Sequence, residues 1–246
     1  MIDKQSLEKQ AAVQGVSLTG EMIDRFDAYA ALLAEWNQRM NLTAITDPAE
    51  IARKHFVDSL TLLPLLPQEP FRLIDVGTGA GFPGLALAIA CPRMELTLLD
   101  SLNKRLTFLQ AVCGELGLRA ALVHARAEDG GHRPELRERF DVATARAVAA
   151  LPVLCEYCLP FVRPGGVFWA MKGPDGAEEA KAAGKAVLLL GGRLGEPKRV
   201  LLPGGAGETA GQEPLERLLI PVDKQAPTPA KFPRPSAKIA KQGPLQ

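Results

Sequence analysis

Cysteine is scarce in this chain, four residues in 246, and Cys91, Cys113, Cys155 and Cys158 lack the regular spacing of a disulfide framework. Reduced thiols are the default. Cys155 and Cys158 form one C-x-x-C inside an apolar run, without the second pair or the nearby histidine of a tetrahedral zinc site. They read as buried helix cysteines, and no metal is expected. No stretch approaches the roughly 18 uncharged apolar residues that cross a bilayer, and "MIDKQSLEKQ" has no apolar signal core. A cytoplasmic protein without a membrane partner is expected, monomeric in the simplest case. Net charge is nearly absent too, at +1, but the balance is uneven. Residues 224–246 carry Lys224, Lys231, Arg234, Lys238 and Lys241 and no acid, leaving 24 basic against 28 acidic groups before them. Clustered basic residues gain affinity for polyanions by counterion release, so this tail is a candidate phosphate contact. The alternative is a solvated end: prolines at 227, 229, 233, 235 and 244 argue against a regular helix there and for disorder.

What is present divides into three parts. Residues 1–70 read as a helical cap. Thr19 can cap a helix in which Ile23, Phe26, Ala30, Leu33 and Trp36 recur at three-to-four spacing, and "DPAE" supplies Asp47 as N-cap, Pro48 in the first turn and Glu50 three residues on. Residues 71–223 alternate apolar runs ("RLIDV", "ELTLLD", "RAALVHA", "FDVATAR", "GVFWAMKG") with helical stretches. That rhythm predicts an α/β fold with a mainly parallel sheet and right-handed crossovers. Two further strands joined by "GGAGETAG" form a closing hairpin, as in the Rossmann-like, seven-stranded sheet of class I S-adenosylmethionine-dependent methyltransferases. The basic tail, 224–246, follows.

"DVGTGAGFPG" places glycine at 77, 79, 81 and 84 directly after the first strand, where backbone must come close to a ligand. Gly79, Gly81 and Gly84 satisfy the dinucleotide pattern G-x-G-x-x-G; Asp75, Gly77, Gly79 and Gly81 satisfy the D-x-G-x-G-x-G arrangement associated with S-adenosylmethionine. The second register is favoured. The dinucleotide pattern would start too far beyond the strand, Asp75 would repel a pyrophosphate but tolerate a cationic sulfonium, and Pro83 lacks an N–H. Asp100, ending the second strand, can accept from ribose hydroxyls, or simply cap the following helix. Ala127 and Glu128 follow the third strand, at the adenine edge of the crevice, unless Glu128 is a solvated loop acid.

Methyl transfer is an in-line displacement that needs a base only if the nucleophile holds a proton. The Asn/Asp-Pro-Pro-aromatic motif of exocyclic-amine methylation is absent; "TARA" stands in its place. No cysteine follows a strand end as carbon-5 methylation requires. A ribose hydroxyl needs a general base in a cluster of lysines and an acid, whereas Lys172 ends the fifth strand but no acid stands at Arg146. Guanine N7, whose lone pair is free, needs positioning alone. Arg146 could read the O6/N7 edge or hold a phosphate, or pair with an acid such as Glu128. Lys172 could contact phosphate, or snorkel from its strand end. No residue is assigned as an acid–base catalyst; Arg146 and Lys172 are the positioning candidates.

"WNQRMNLT", "HFVDSL", "DVGTGAGFPGLALAI", "LLDSLNKRLTFL", "ARA" at 145–147 and "MKG" at 171–173 together closely resemble the RsmG (GidB) family of bacterial 16S ribosomal RNA guanosine-N7 methyltransferases. The resemblance spans about residues 30–240. It implies a methyl donor, S-adenosyl-L-methionine, and a substrate, the 530-loop of 16S ribosomal RNA, free or in the small subunit. It carries the cofactor site onto Gly77, Phe82, Asp100, Ser101, Leu102, Ala127, Glu128 and Arg146, beside Asp75, Gly79 and Gly81 of the turn. Asn41, His55 and Asp58 match motifs that suggest an RNA-facing wall, although His55 and Asp58 could be a surface pair. Lys172, Arg234, Lys238 and Lys241 complete the RNA-binding candidates. The tail departs from the family pattern, with Ala240 where proline is expected. Two other functions compete. A small-molecule methyltransferase predicts an aromatic lid, against only 5% aromatic residues here, and a non-catalytic RNA-binding factor predicts cofactor affinity without product.

Overall fold

A computed structural model describes residues 1–204 and 213–245; apart from Gly204, the "GGAGETAG" link lies outside the described residues. The chain opens with helices α1 (Lys4–Val13) and α2 (Gly20–Met40). The Thr19 hydroxyl accepts from Met22 N at 3.3 Å, the capping bond its position predicts. Asn41 closes α2 in the left-handed region, φ 48°, a conformation asparagine tolerates. Asp47 accepts from Glu50 N at 2.9 Å and starts α3 (Pro48–Ile51), which runs straight into a π-helical stretch (Ala52–Val57) and α4 (Asp58–Leu60). Such wide turns concentrate at functional sites; this one carries His55.

The β/α alternation then appears as β1 (Phe71–Val76), α5 (Gly84–Ala90), β2 (Met94–Asp100), α6 (Asn103–Leu116), β3 (Ala120–His124), α7 (Ala127–Gly130), β4 (Phe140–Arg146), α8 (Leu151–Cys158), β5 (Val162–Lys172) and α9 (Gly176–Leu189). The edge strands β6 (Gly192–Leu194) and β7 (Lys198–Leu202) and the antiparallel β8 (Leu215–Lys224) finish the sheet. Its order is β3-β2-β1-β4-β5-β8-β6, with β7 also on β8. Seven strands are expected and eight are found, because the sixth is interrupted. β6 lies opposite Val222–Lys224 and β7 opposite Leu215–Leu219, with Gly195 N donating to Pro221 O between them. Pro197 has no N–H for the ladder at that break.

Alternation along the strands feeds two cores. Leu73, Leu98, Trp169, Met171 and Leu219 pack with Phe26, Tyr29, Leu33 and Phe56 of the N-terminal helices on one face. Ile74, Leu99, Phe168, Ala170 and Ile220 pack with Leu154, Val187 and Phe232 on the other. All four cysteines are free and buried, and burial pushes the Cys155 thiol up to about 12. The tail departs from the disordered reading. Its prolines bound a helix instead of preventing one: α10 (Ser236–Gln242) fits between Pro235 and Pro244, with Ile239 buried.

Candidate active site

The glycine turn is held from below by Asp75. This carboxylate is fully buried and its Oδ2 accepts from Thr78 Oγ1 at 2.7 Å and from Gly84 N at 2.8 Å. Burial raises its pKa to about 6, while those bonds and Arg146 favour the charged form. Asp75 therefore braces the turn from inside and does not face the cavity above it. At Gly77, φ is 71° and an added Cβ would stand 2.8 Å from Val148 Cγ2, so only glycine fits without movement.

The first cavity, about 330 Å³, opens at the carboxyl ends of β1, β2 and β4, the crevice where open α/β sheets bind ligands. Gly77, Asp100, Ser101, Ala127 and Glu128 meet there, joined by Arg105, Tyr157 and Ser236, which the sequence did not single out. Asp100 is almost fully buried. Its Oδ1 accepts from Leu102 N at 2.9 Å, and its Oδ2 from Gly79 N at 2.9 Å and Arg105 Nη1 at 3.3 Å. Asp100 is not the N-cap of α6, which begins after Leu102 with no side-chain cap; it bonds the amide of Leu102 and ties the end of β2 to the glycine turn. Glu128 is buried, and its Oε1 has no hydrogen-bond partner. An orphaned acceptor on a cavity wall is costly unless a ligand donor reaches it. Gly79, Gly81, Phe82 and Leu102 do not line this cavity, and Phe82 lies against His55 and Arg146 instead.

The second cavity, about 380 Å³, adjoins the first at Ala147, which lines both. Arg146 at the end of β4 is its centre. Nη1 donates to Asp58 Oδ2 at 2.9 Å and to Lys54 O at 3.1 Å, and the guanidinium carbon lies 5.2 Å from the centre of the Phe82 ring. Arg217 of β8 donates to the other Asp58 oxygen at 3.1 Å. Asp58, not Glu128, is therefore the carboxylate partner of Arg146, and the pairing of Asp58 with His55 does not form. His55 instead stacks on Phe82, 4.5 Å between ring centres, with Nδ1 3.3 Å from Arg146 Nη2 and Nε2 2.9 Å from Thr43 Oγ1. Since a guanidinium only donates, Nδ1 accepts, and the proton of the neutral ring belongs on Nε2. Burial, then Arg146, lowers the His55 pKa to about 3, so the ring is neutral at physiological pH.

Sequence comparison decides between the readings that this geometry allows. The family described as rRNA small subunit methyltransferase G (GidB) matches residues 22–199. The chain belongs to this family. A relative from Acetivibrio thermocellus, "Ribosomal RNA small subunit methyltransferase G", is 48% identical over 92% of this chain and 90% of its own length. One of the same name from Symbiobacterium thermophilum is also 48% identical, over 96% and 95%. Among solved structures, a precorrin-6y C5,15-methyltransferase from Geobacter metallireducens superposes with a TM-score of 0.52 at 16% identity, covering 75% of this chain and 92% of its own. That likeness shows a shared methyltransferase fold.

Two of the cationic candidates for RNA contact are engaged within the fold. Lys172 Nζ donates to Ala149 O at 2.6 Å and pairs with Glu179 at 2.7 Å. Arg234 is buried against Glu156. Lys238 and Lys241 are exposed on α10, and Asn41 is exposed outside both cavities. Thr43 was visible in "WNQRMNLT", but nothing local marks Arg217, which reaches Asp58 across 159 residues of sequence. No helix among the described residues is long and apolar enough to cross a membrane, and no group of three metal-ligating side chains occurs among them.

Proposed function

We propose that this member of an rRNA methyltransferase family transfers a methyl group from S-adenosyl-L-methionine to N7 of a guanosine in the 530-loop of 16S ribosomal RNA. The first cavity suits the donor. Asp100 offers carboxylate lone pairs for ribose hydroxyls once the half-exposed Arg105 gives way, and the orphaned Glu128 oxygen suits an amino donor such as that of adenine. Gly77, Ser101 and Ala127 supply close walls, and Asp75, Gly79, Gly81, Phe82 and Leu102 keep the turn and its flank in shape. The donor, when bound, supplies an electrophilic methyl group on a sulfonium.

One observation carries the choice of acceptor atom. The acid and the imidazole that line the second cavity are both engaged: Asp58 by two guanidiniums, His55 by Arg146 and Thr43. Neither is free to take a proton, which suits an acceptor with nothing to lose. Arg146 then holds and orients the base, through donors that match guanine O6 or a phosphate. The ribosomal RNA or the small subunit is the partner, and a monomer suffices for the chemistry.

The test is to incubate the protein with labelled S-adenosylmethionine and undermodified small subunits or their extracted RNA, then cleave with borohydride and aniline, which cut at N7-methylguanosine. One new cut in the 530-loop is expected. Incorporation without such a cut would refute the N7 assignment; donor binding without incorporation would favour a non-catalytic RNA-bound role.

A further inference from the structure

The basic tail spends its two most deeply placed cations inside the fold. Lys224 is buried, with Nζ donating to Leu159 O at 2.7 Å and Thr228 Oγ1 at 2.5 Å, and with Glu138 Oε1 at 3.4 Å. Arg234 donates from its backbone N and from Nε to Glu156 Oε1, both at 2.8 Å, and from Nη2 to Glu156 Oε2 at 2.7 Å. Glu156 is fully buried, so these bonds replace the water its carboxylate has lost. The carbonyls on either side are taken as well. Arg137 donates to Phe232 O at 2.9 Å and to Thr228 O at 2.6 Å, and His132 Nε2 lies 2.8 Å from Pro233 O.

What this anchoring positions is part of the first cavity. Ser236, two residues beyond Arg234, lines it, and so does Tyr157, the residue after Glu156 on α8. On both elements the anchor and the cavity wall are near neighbours in sequence, so the ion pair fixes the distance between the two walls.

We infer that residues 232–243 form a wall of the methyl-donor cavity at its nucleoside end, held there by the Arg234–Glu156 ion pair, so that the docked tail and the bound donor stabilise each other. This rests on the first cavity being the donor site. The stabilisation is reciprocal by linkage: whatever the tail adds to donor affinity, the donor adds to tail docking. Lys238 and Lys241 remain exposed on α10, the helix that Ser236 begins.

Hydrogen exchange of the full chain, with and without S-adenosylhomocysteine as the non-reacting probe, tests this. Slower exchange is expected both near Asp100 and in α10, where Lys238 N and Ile239 N donate to Pro235 O and Gly243 N to Ile239 O. Protection near Asp100 with unchanged exchange in α10 would overturn the inference and leave the donor site standing. Protection in neither place, with no calorimetric binding, would sink the donor-site reading and the inference with it. Two variants add affinity. Arg234→Met, which releases the anchor, is expected to weaken S-adenosylhomocysteine binding about tenfold or more. Ser236→Trp keeps the anchor and intrudes on the cavity, and it should lose affinity while melting like the parent. Unchanged affinity in Ser236→Trp counts against the wall even if Arg234→Met does not fold.

Discussion

Replacing Asp58 by asparagine removes one negative charge that two cations share. The side chain is 2% exposed, against 14% for Arg146 and 22% for Arg217, so water compensates little of the loss. At an effective dielectric of about 20, an ion pair at 4 Å is worth about 4 kcal/mol before desolvation. Breaking one partner out of a buried pair costs about 3–5 kcal/mol. Asparagine keeps one oxygen acceptor but turns its amide donors toward a guanidinium, so a loss of about 3 kcal/mol is expected. In a chain of this size that lowers Tm by about 6–12 °C. Urea unfolding at constant m-value measures it. Because Asp58 does not line the first cavity, S-adenosylhomocysteine affinity should hold while methyl transfer falls, as Arg146 loses its fixed orientation. The double variant Asp58→Asn/Arg217→Gln removes the surplus cation and should be less destabilised than the sum of the single variants. A stability loss under about 0.5 kcal/mol with full activity, within the range of an ordinary surface substitution, would refute the claim that this charge cluster organises the acceptor cavity.

Three further outcomes are expected. Gly77→Ala forces a side chain into φ 71° and against Val148, and should cost about 1–3 kcal/mol along with most donor affinity; Val148→Ala should relieve the collision but not the backbone strain. His55 binds its proton more weakly when folded, near pH 3, than in the unfolded chain, near 6.5. Between those values the unfolded state holds more protons, so the stability from a neutral His55 is complete above pH 6.5 and falls with acidification, by up to about 1.4 kcal/mol per pH unit. His55→Gln should flatten that part of the stability–pH curve, and an unchanged difference between pH 7 and 4 would contradict it. Finally, Lys238→Ala with Lys241→Ala should reduce the salt slope of RNA binding by about 1.4, near 0.7 per lost single-strand phosphate contact, whereas Lys172→Met, an internally paired cation, should leave the slope unchanged.

Much of this protein was legible in its sequence, because the signals were local. The glycine turn, the caps at Thr19 and Asp47, the β/α alternation and the closing hairpin each depend on residues within one turn, strand or crossover. Asp100, Ser101, Ala127 and Glu128 could be placed in one crevice because parallel strands deliver their carboxyl ends to the same edge. The spacing of His55 and Asp58 was legible as well, but its meaning was not. His55 lies within a π-helical stretch and Asp58 just beyond it, and both address Arg146 instead of each other.

By itself, then, the sequence determined the order of elements, the sheet edge at which the first cavity opens and the family motifs. Tertiary structure decided how the charges are used. Asp58 meets Arg146 from 88 residues away, and Glu156 meets Arg234 from 78, distances over which no periodic pattern records a pairing. Composition registers that a tail is basic but not whether its cations are buried. Only packing, which removes water from Glu156 and makes an internal arginine the way to satisfy it, turns a candidate phosphate contact into an anchor.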